Sequence, residues 1–351
     1  MKKNILLTLF SVVVVSPAWA LSEIEISGEL DATMSVWSLP TGERGNSSFS
    51  VPSLFLDLDI PLKENNLLTV TLEGSEEKSS SAERFDVKVR EAYMDVVSIF
   101  EGLNAVRFGL IPDVWQEAHY EVWDYRFLGQ NAWSLTEKWK YQNVSDLGFS
   151  FMSELPGEWG EWAFTVSNGD GAQAKESGPH KDVGLFARLH GSSPWVLSLN
   201  YARGNYDKYG ADVGVKERIQ GMLTFESEKS FLLGLEVLGT QDPADALLDL
   251  TMVEGVNVLA LSGESVHGEG ASFFTVINMG ETSEIVLRFD YMNAAKGQDG
   301  KDLQTVVAGW GFQIAEDIKA AFLVDHTRYG GNFATGARDR SKIAFAAQVL
   351  F

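Results

Sequence analysis

Apolar and polar residues alternate with a period of two in segments that recur from one end of the chain to the other. Beyond residue 20, no stretch approaches 18 consecutive apolar residues. Together these features exclude helical membrane spans and demand strands, because successive side chains of a strand point to opposite faces. In "SLFLDLDIPL", Leu54, Leu56, Leu58 and Ile60 share one face, opposite Ser53, Phe55, Asp57 and Asp59. In "AVRFGLI", Val106, Phe108 and Leu110 oppose Ala105, Arg107 and Gly109. The same holds for Val183, Leu185, Ala187 and Leu189 against Asp182, Phe186 and Arg188, and for Ile285, Leu287, Phe289 and Tyr291 against Glu284, Arg288 and Asp290. The final segment, "KIAFAAQVLF", places Ile343, Phe345, Ala347, Val349 and Phe351 on one face. Its length suits a strand that crosses a bilayer within a β-barrel, roughly 9–11 residues.

The first residues read as an export signal. Lys2 and Lys3 precede an apolar run from Ile5 to Val15, and Ala18-Trp19-Ala20 forms a small-x-small cleavage site. The run is shorter than the ~20 residues of a spanning helix. Residues 1–20 are therefore expected to be a signal peptide, and residues 21–351 the mature barrel. There is no Cys, which excludes a disulfide framework, an acylated leading cysteine and thiolate chemistry.

Without the signal the chain carries 26 basic against 49 acidic residues, a net charge of −23. Such a charge argues against nucleic acid, which needs a basic surface. It suits cation attraction through a lined pore, or simply solubility.

Connections between the alternating segments sort by length. Short ones fall near 61–65, 99–102, 156–160, 191–194, 227–230, 280–283 and 315–317. Longer, polar ones fall near 38–47, 79–83, 112–144, 169–180, 204–212, 241–266, 295–302 and 330–339. The strict alternation implies about 16 antiparallel strands, with short periplasmic turns, long external loops and both termini on the periplasmic side. Trp37, Tyr93, Trp195, Tyr201, Tyr291, Tyr329 and Phe351 fall near predicted strand ends, where aromatic girdles meet the lipid interfaces.

The stretch "REAYMDVVSIFEGLNAVRFGLIPDVW" (Arg90–Trp115) resembles a strand–turn–strand of bacterial porins, in which a Tyr-x-Asp strand is followed by an R-x-G strand opening into a long loop. Thr136-Glu137-Lys138, Ser145-Asp146-Leu147-Gly148 and Asn168-Gly169-Asp170-Gly171 match in order within Tyr125–Gly171. The resemblance is to porin-like barrels near the phosphate-selective porin O and P group, and these matches cover roughly a quarter of the chain. It implies anion selectivity, homotrimers, and a third external loop that folds inward to narrow the lumen. It also makes Phe351 similar to the terminal aromatic read by the barrel-assembly machinery. The chain departs from that group in lacking a Lys-rich inward ladder and in its acidic excess.

Catalytic and metal chemistry find little footing. His119, His180, His190, His267 and His326 show no H-x-x-x-H spacing, and no G-x-S-x-G elbow or βα phosphate loop is present. No enzyme activity, cofactor or metal is expected. Loop 112–144 is the candidate constriction. Asp113, Glu117, Glu121 and Asp124 are its expected acidic side, and the inward-parity Arg107, Arg188, Arg218 and Arg288 the expected opposing wall. Alternatives for these residues are a solvated external loop, with or without a hairpin at 133–141, and local ion pairs with Asp182 or Asp290.

The sequence thus reads as an all-β, transmembrane antiparallel barrel in the outer membrane of a Gram-negative bacterium. The expected function is passive diffusion of small hydrophilic solutes and ions, with a cation preference. Competing readings are a solute-specific channel for phosphate, sugars or organic acids, a plugged structural or adhesion barrel, and a barrel enzyme.

Overall fold

The computed structural model describes residues 24–38, 47–79, 82–100, 102–172, 174–176, 179–191, 194–205, 214–227, 230–243, 247–249, 258–260, 265–333 and 338–351. The expected signal peptide lies outside them. The chain forms β1 (Glu25–Ser38), β2 (Ser47–Pro61), β3 (Leu67–Ser79), β4 (Ala82–Phe100), β5 (Leu103–Pro112), β6 (Ser145–Glu154), β7 (Gly160–Ser167), β8 (Asp182–Leu189) and β9 (Trp195–Asn205). These are followed by β10 (Val215–Ser227), β11 (Phe231–Pro243), β12 (Leu247–Asp249), β13 (Val258–Ala260), β14 (Ser265–Asn278), β15 (Ser283–Asn293), β16 (Asp302–Ala315), β17 (Ile318–Tyr329) and β18 (Arg340–Leu350). Sixteen of them pair, each with its sequence neighbours, into one closed antiparallel barrel. The separate β12–β13 hairpin lies in the connection between β11 and β14. Closure gives every strand two pairing edges, the condition for a sheet in hydrocarbon.

Alternation assigns the two faces as the sequence pattern requires. Leu185, Leu287, Phe289 and Ile343 are exposed on the outer wall, whereas Phe186, Arg288, Asp290 and Ala344 are buried inside. Stacked and tilted rings line the outer wall towards the short turns, with Trp195, Phe225 and Phe231 on one side and Trp310, Phe312, Phe322 and Phe345 on another. Two expected girdle aromatics instead face the lumen. Tyr93 lies under the Arg107 guanidinium, 4.2 Å away, and Tyr329 packs on Phe333 inside. Strand-end position alone does not fix a face, whereas parity with Arg107 does. The Trp37 side chain lies outside the described residues. One connection expected to be long is short: β3 ends at Ser79 and β4 begins at Ala82, so the polar residues there extend two strands.

The barrel closes where β18 meets β1. Gly28 N donates to the Phe351 carbonyl at 2.8 Å and Phe351 N to the Gly28 carbonyl at 3.0 Å. The Phe351 ring covers Gly28 so closely that a Cβ there would lie 2.5 Å from Phe351 Cζ and 2.7 Å from the Phe55 carbonyl oxygen. Gly28→Val is therefore expected to reduce the fraction of chain that migrates as a compact, heat-modifiable barrel on a denaturing gel, as is deletion of Phe351. Wild-type yields from both variants would show that this seam carries no closing role.

Candidate functional site in the barrel lumen

Residues 113–144 leave the wall after β5 and fold into the lumen. Asp113 N donates to the Val144 carbonyl at 2.9 Å, so the segment hangs from a closed stem between β5 and β6. It begins with helix α1 (Val114–Val122), whose N-cap is Asp113: its carboxylate accepts from Gln116 N at 3.0 Å. Two single 3-10 turns follow (Arg126–Leu128 and Gln130–Ala132), then a short helix α2 (Leu135–Lys138) capped by Ser134. The helical turn at 135–138 stands where a hairpin was the alternative expectation, with Ser134 satisfying the Glu137 N–H at 3.3 Å.

Period 3.6 divides α1 into two faces. Trp115, Gln116 and His119 are buried towards β10–β18, and Trp123 just beyond the helix joins them. They pack with Phe127 and Leu128 against Met222, Phe274, Val276, Val286, Val307, Leu323, Ala344 and Ala346 of the inner wall. A polar clamp secures the contact. Lys138 Nζ donates to Asp290 Oδ2 at 2.6 Å and Asn131 Nδ2 to Asp325 Oδ1 at 2.6 Å. Arg288 Nη1 reaches the Ala132 carbonyl at 3.1 Å, and Arg218 Nε the Tyr141 carbonyl at 2.9 Å. The other face of α1, Val114, Glu117, Ala118 and Glu121, is turned towards β5–β8 and lines cavity space there.

That space comprises two cavities. The first, about 420 Å³, opens among the long connections and is lined by Asp113, Lys140, Asp146, Asp170, Asp182, Arg203, Lys216 and Arg218, among others. The second, about 290 Å³, lies towards the short turns and is lined by Arg107, Glu117, Glu121, Glu154, Glu161 and Arg188 with several apolar residues. Val114 and Phe186 line both.

No protein-family model and no curated protein sequence matches the chain. Solved structures do resemble it. The chain is similar to OprB of Pseudomonas putida with a TM-score of 0.66 at 8% identity, covering 94% of each chain. It is similar to an anion-selective porin from Comamonas acidovorans with a TM-score of 0.62 at 12% identity, over 94% of this chain and 99% of that one. A trimer form of OmpT, an outer membrane protein of Vibrio cholerae, aligns with a TM-score of 0.58 at 10% identity, over 94% and 99% of the two chains. The fold is that of an outer-membrane β-barrel.

Inside this barrel the acids and arginines singled out from the sequence do not form two opposed walls. Arg107 grips Asp95 through two nitrogens at 2.8 and 3.0 Å, and its Nη1 reaches Glu117 at 2.8 Å. Arg188 bonds Glu121 directly and lies 3.6 Å from Glu161. Glu117 and Glu121 thus line the second cavity beside Arg107 and Arg188, and Asp113 lines the first with Arg218. Asp124 lines neither; it lies 3.7 Å from Lys319 and is well exposed. Arg288 is sealed beneath the loop, paired with Asp290 at 2.9 Å. Parity gave all four arginines an inward face. The loop, by choosing which half of the lumen to cover, decided which of them meet water.

Enclosure tunes the loop's acids in different directions. Burial pushes the Asp113 carboxyl up to about 7, although the Gln116 N–H and Gln142 amide hydrogen bonds pull it back. Burial also raises Glu117, against the opposing charge of Arg107. Burial acts on Glu137 in the same sense, but Arg126 and Arg90 outweigh it and hold that carboxyl below the ordinary value. Arg90 reaches this position because a bulge between Thr71 and Leu72 leaves it without a ladder partner on β3. Arg90 then bonds Glu73 at 3.0 Å. The sequence reading missed this Arg90–Arg126–Glu137 group and the apolar inner wall. Its signal was the run of apolar or small residues at inward parity in β14–β18: Phe274, Val276, Val286, Val307, Leu323, Ala344 and Ala346.

Proposed function

We propose that the protein is an outer-membrane channel of porin type that passes small hydrophilic solutes and ions by diffusion between α1 and β5–β9. The observation that carries this reading is the one-sided placement of the loop. It covers β10–β18 through an apolar and ion-paired contact and leaves two charged cavities along the other half. Sixteen-stranded barrels leave an aqueous channel, and the folded loop reduces it. Resemblance to the anion-selective porin agrees with a channel. A homotrimer agrees with the trimer form of the third similar structure. Lipid contact and use of the barrel-assembly machinery follow from the same reading. Purified protein in a planar bilayer should show discrete conductance steps; a barrel that inserts but never conducts would overturn it.

The channel is proposed to favour cations. In the second cavity four carboxylates face two guanidiniums. The acids are also the wetter groups: the Glu121 and Glu161 side chains are 59% and 48% exposed, those of Arg107 and Arg188 13% and 18%. Selectivity is set by charges close to the ion path, since distant ones are screened beyond about 8 Å. The double variant E121Q/E161Q is expected to lower the K⁺/Cl⁻ permeability ratio by about twofold or more, read as the reversal potential in a KCl gradient. An unchanged potential would remove these acids from the ion path.

Asp113 adds a pH dependence of definite sign. A carboxyl with its midpoint near 7 is mostly neutral at pH 6 and mostly ionised at pH 8. Cation preference should therefore rise as pH increases through 7, and D113N should flatten that rise.

A further inference from the structure

The larger cavity, about 420 Å³, holds charges of both signs, and three of its cations are already committed to carboxylates. Lys216 Nζ lies 2.7 Å from Asp182 Oδ2, Arg218 Nη2 2.7 Å from Asp242 Oδ1, and Arg203 Nε 3.6 Å from Glu217 Oε1. Arg218 gives its other donors to the Tyr141, Glu217 and Gln241 carbonyls. Glycine makes room for the first pair: a Cβ on Gly204 or Gly169 would collide with the Asp182 carboxylate.

Two acids of the same cavity are treated differently. Asp113 and Asp146 have no ion-pair partner among the described residues. Asp113 Oδ1 accepts from Gln116 N at 3.0 Å and its Oδ2 from the Gln142 amide. Asp146 Oδ1 accepts from Leu147 N at 2.8 Å and its Oδ2 from Gly169 N. These neutral donors fix both carboxylates without neutralising them, and each oxygen keeps accepting capacity. Ile111 pairs with Asp146, and Asp113 N bonds the Val144 carbonyl. The two acids are therefore diagonal neighbours on the loop's stem, roughly 7–8 Å apart at the backbone. Gln142 stands on the same stem and also lines the cavity; its Oε1 is enclosed and accepts no hydrogen bond.

On this stem the cavity thus offers anions without cations and an acceptor without a donor. A positively charged group made of N–H donors satisfies both. The guanidinium is such a group: its donors lie in one plane on more than one edge, so one cation reaches two carboxylates and an amide oxygen. A fully methylated ammonium brings the charge without the donors.

We propose that this cavity binds the guanidinium group of a small solute, with Asp113, Asp146 and Gln142 Oε1 as its acceptors. As a binding site it stands on the cavity itself; as a class of solute that the barrel admits, it rests on the channel reading above.

The test titrates the whole barrel in detergent micelles with methylguanidinium chloride, by calorimetry at low salt and pH 8, where Asp113 is mostly ionised. Tetramethylammonium chloride is the control of equal charge. Methylguanidinium should saturate a single site, and tetramethylammonium should bind about tenfold or more weakly. D113N and D146N should each lower methylguanidinium affinity by about tenfold or more. Asparagine keeps an oxygen for the N–H groups that these positions hold, and heat-modifiable migration reports assembly of both variants. Should neither assemble, the comparison of the two cations on wild type still decides. No saturable binding, equal affinity for the two cations, or affinity unmoved in both variants would overturn the site. Binding without conductance in planar bilayers would keep the site and overturn the channel reading; conductance without binding would do the reverse.

Discussion

Excision of residues 115–142, with the stem at Asp113 and Val144 rejoined by a short turn, is expected to raise single-channel conductance about fivefold or more, because a sixteen-stranded wall without its loop encloses an open aqueous bore. The wall itself should survive. Pro112 pairs with Ser145 and Ile111 with Asp146, so β5 and β6 keep their ladder up to the cut. The excised barrel should still migrate as a heat-modifiable species, since no wall-to-wall backbone hydrogen bond depends on the loop. What it loses is the apolar cover of Phe274, Val286, Val307 and Leu323, which then face water. Noisier currents and lower thermal stability should therefore accompany the larger conductance. A conductance equal to wild type would mean that the loop does not limit flow, and the passage between α1 and β5–β9 would have to be abandoned.

The second large effect is expected at Asp290. This buried carboxylate accepts from Lys138 Nζ at 2.6 Å and from Arg288 Nε at 2.9 Å, and so neutralises one cation from the loop and one from the wall. Glu236, whose Oε2 lies 3.7 Å from Arg288 and whose Oε1 accepts from Leu135 N at 3.3 Å, supplies the second negative charge. Two anions and two cations thus share a site closed to solvent, an arrangement that is stable only as a set. Asp290→Ala leaves Lys138 and Arg288 with Glu236 and the more distant charge of Asp325. Breaking a buried pair by removing one partner typically costs about 3–5 kcal/mol. The whole barrel need not unfold, because its backbone ladder is separate from the clamp. The loop is the part that should detach. Protease sensitivity within 125–142 in the assembled protein should rise, and open-channel noise with it. Asp290→Asn keeps an acceptor for one cation and should be milder. Equal loop protection in wild type and D290A would show that the aromatic contact holds the loop without the clamp.

How much of this was legible in the sequence follows from what each pattern encodes. A period of two fixes which face of a strand a residue occupies. Hence Arg107, Arg188, Arg218 and Arg288 could be placed inside, and Leu185 and Phe289 outside, from sequence alone. Loop lengths pointed to the strand number, because outer-membrane barrels join their strands by short turns at one end and, as a rule, longer loops at the other. The exception, at 79–83, came from polar residues that extend β3 and β4 instead of forming a loop. Parity carries no information about position around the barrel or depth along it, and these are what set the site. Glu117 and Glu121 were expected to stand across an opening from the arginines. They pair with Arg107 and Arg188 directly, because α1 starts beside β5 and turns its Val114–Glu117–Glu121 stripe back towards β5–β9. Trp115, Trp123, Phe127 and Leu128 turn the other way, since β10–β18 supplies most of the apolar inner wall that buries them. The sequence determined that this chain is a closed barrel with a charged interior and one long aromatic-rich loop. The tertiary structure decided which half of the lumen that loop fills, because burial of its aromatic face depends on strands more than two hundred residues distant in the chain.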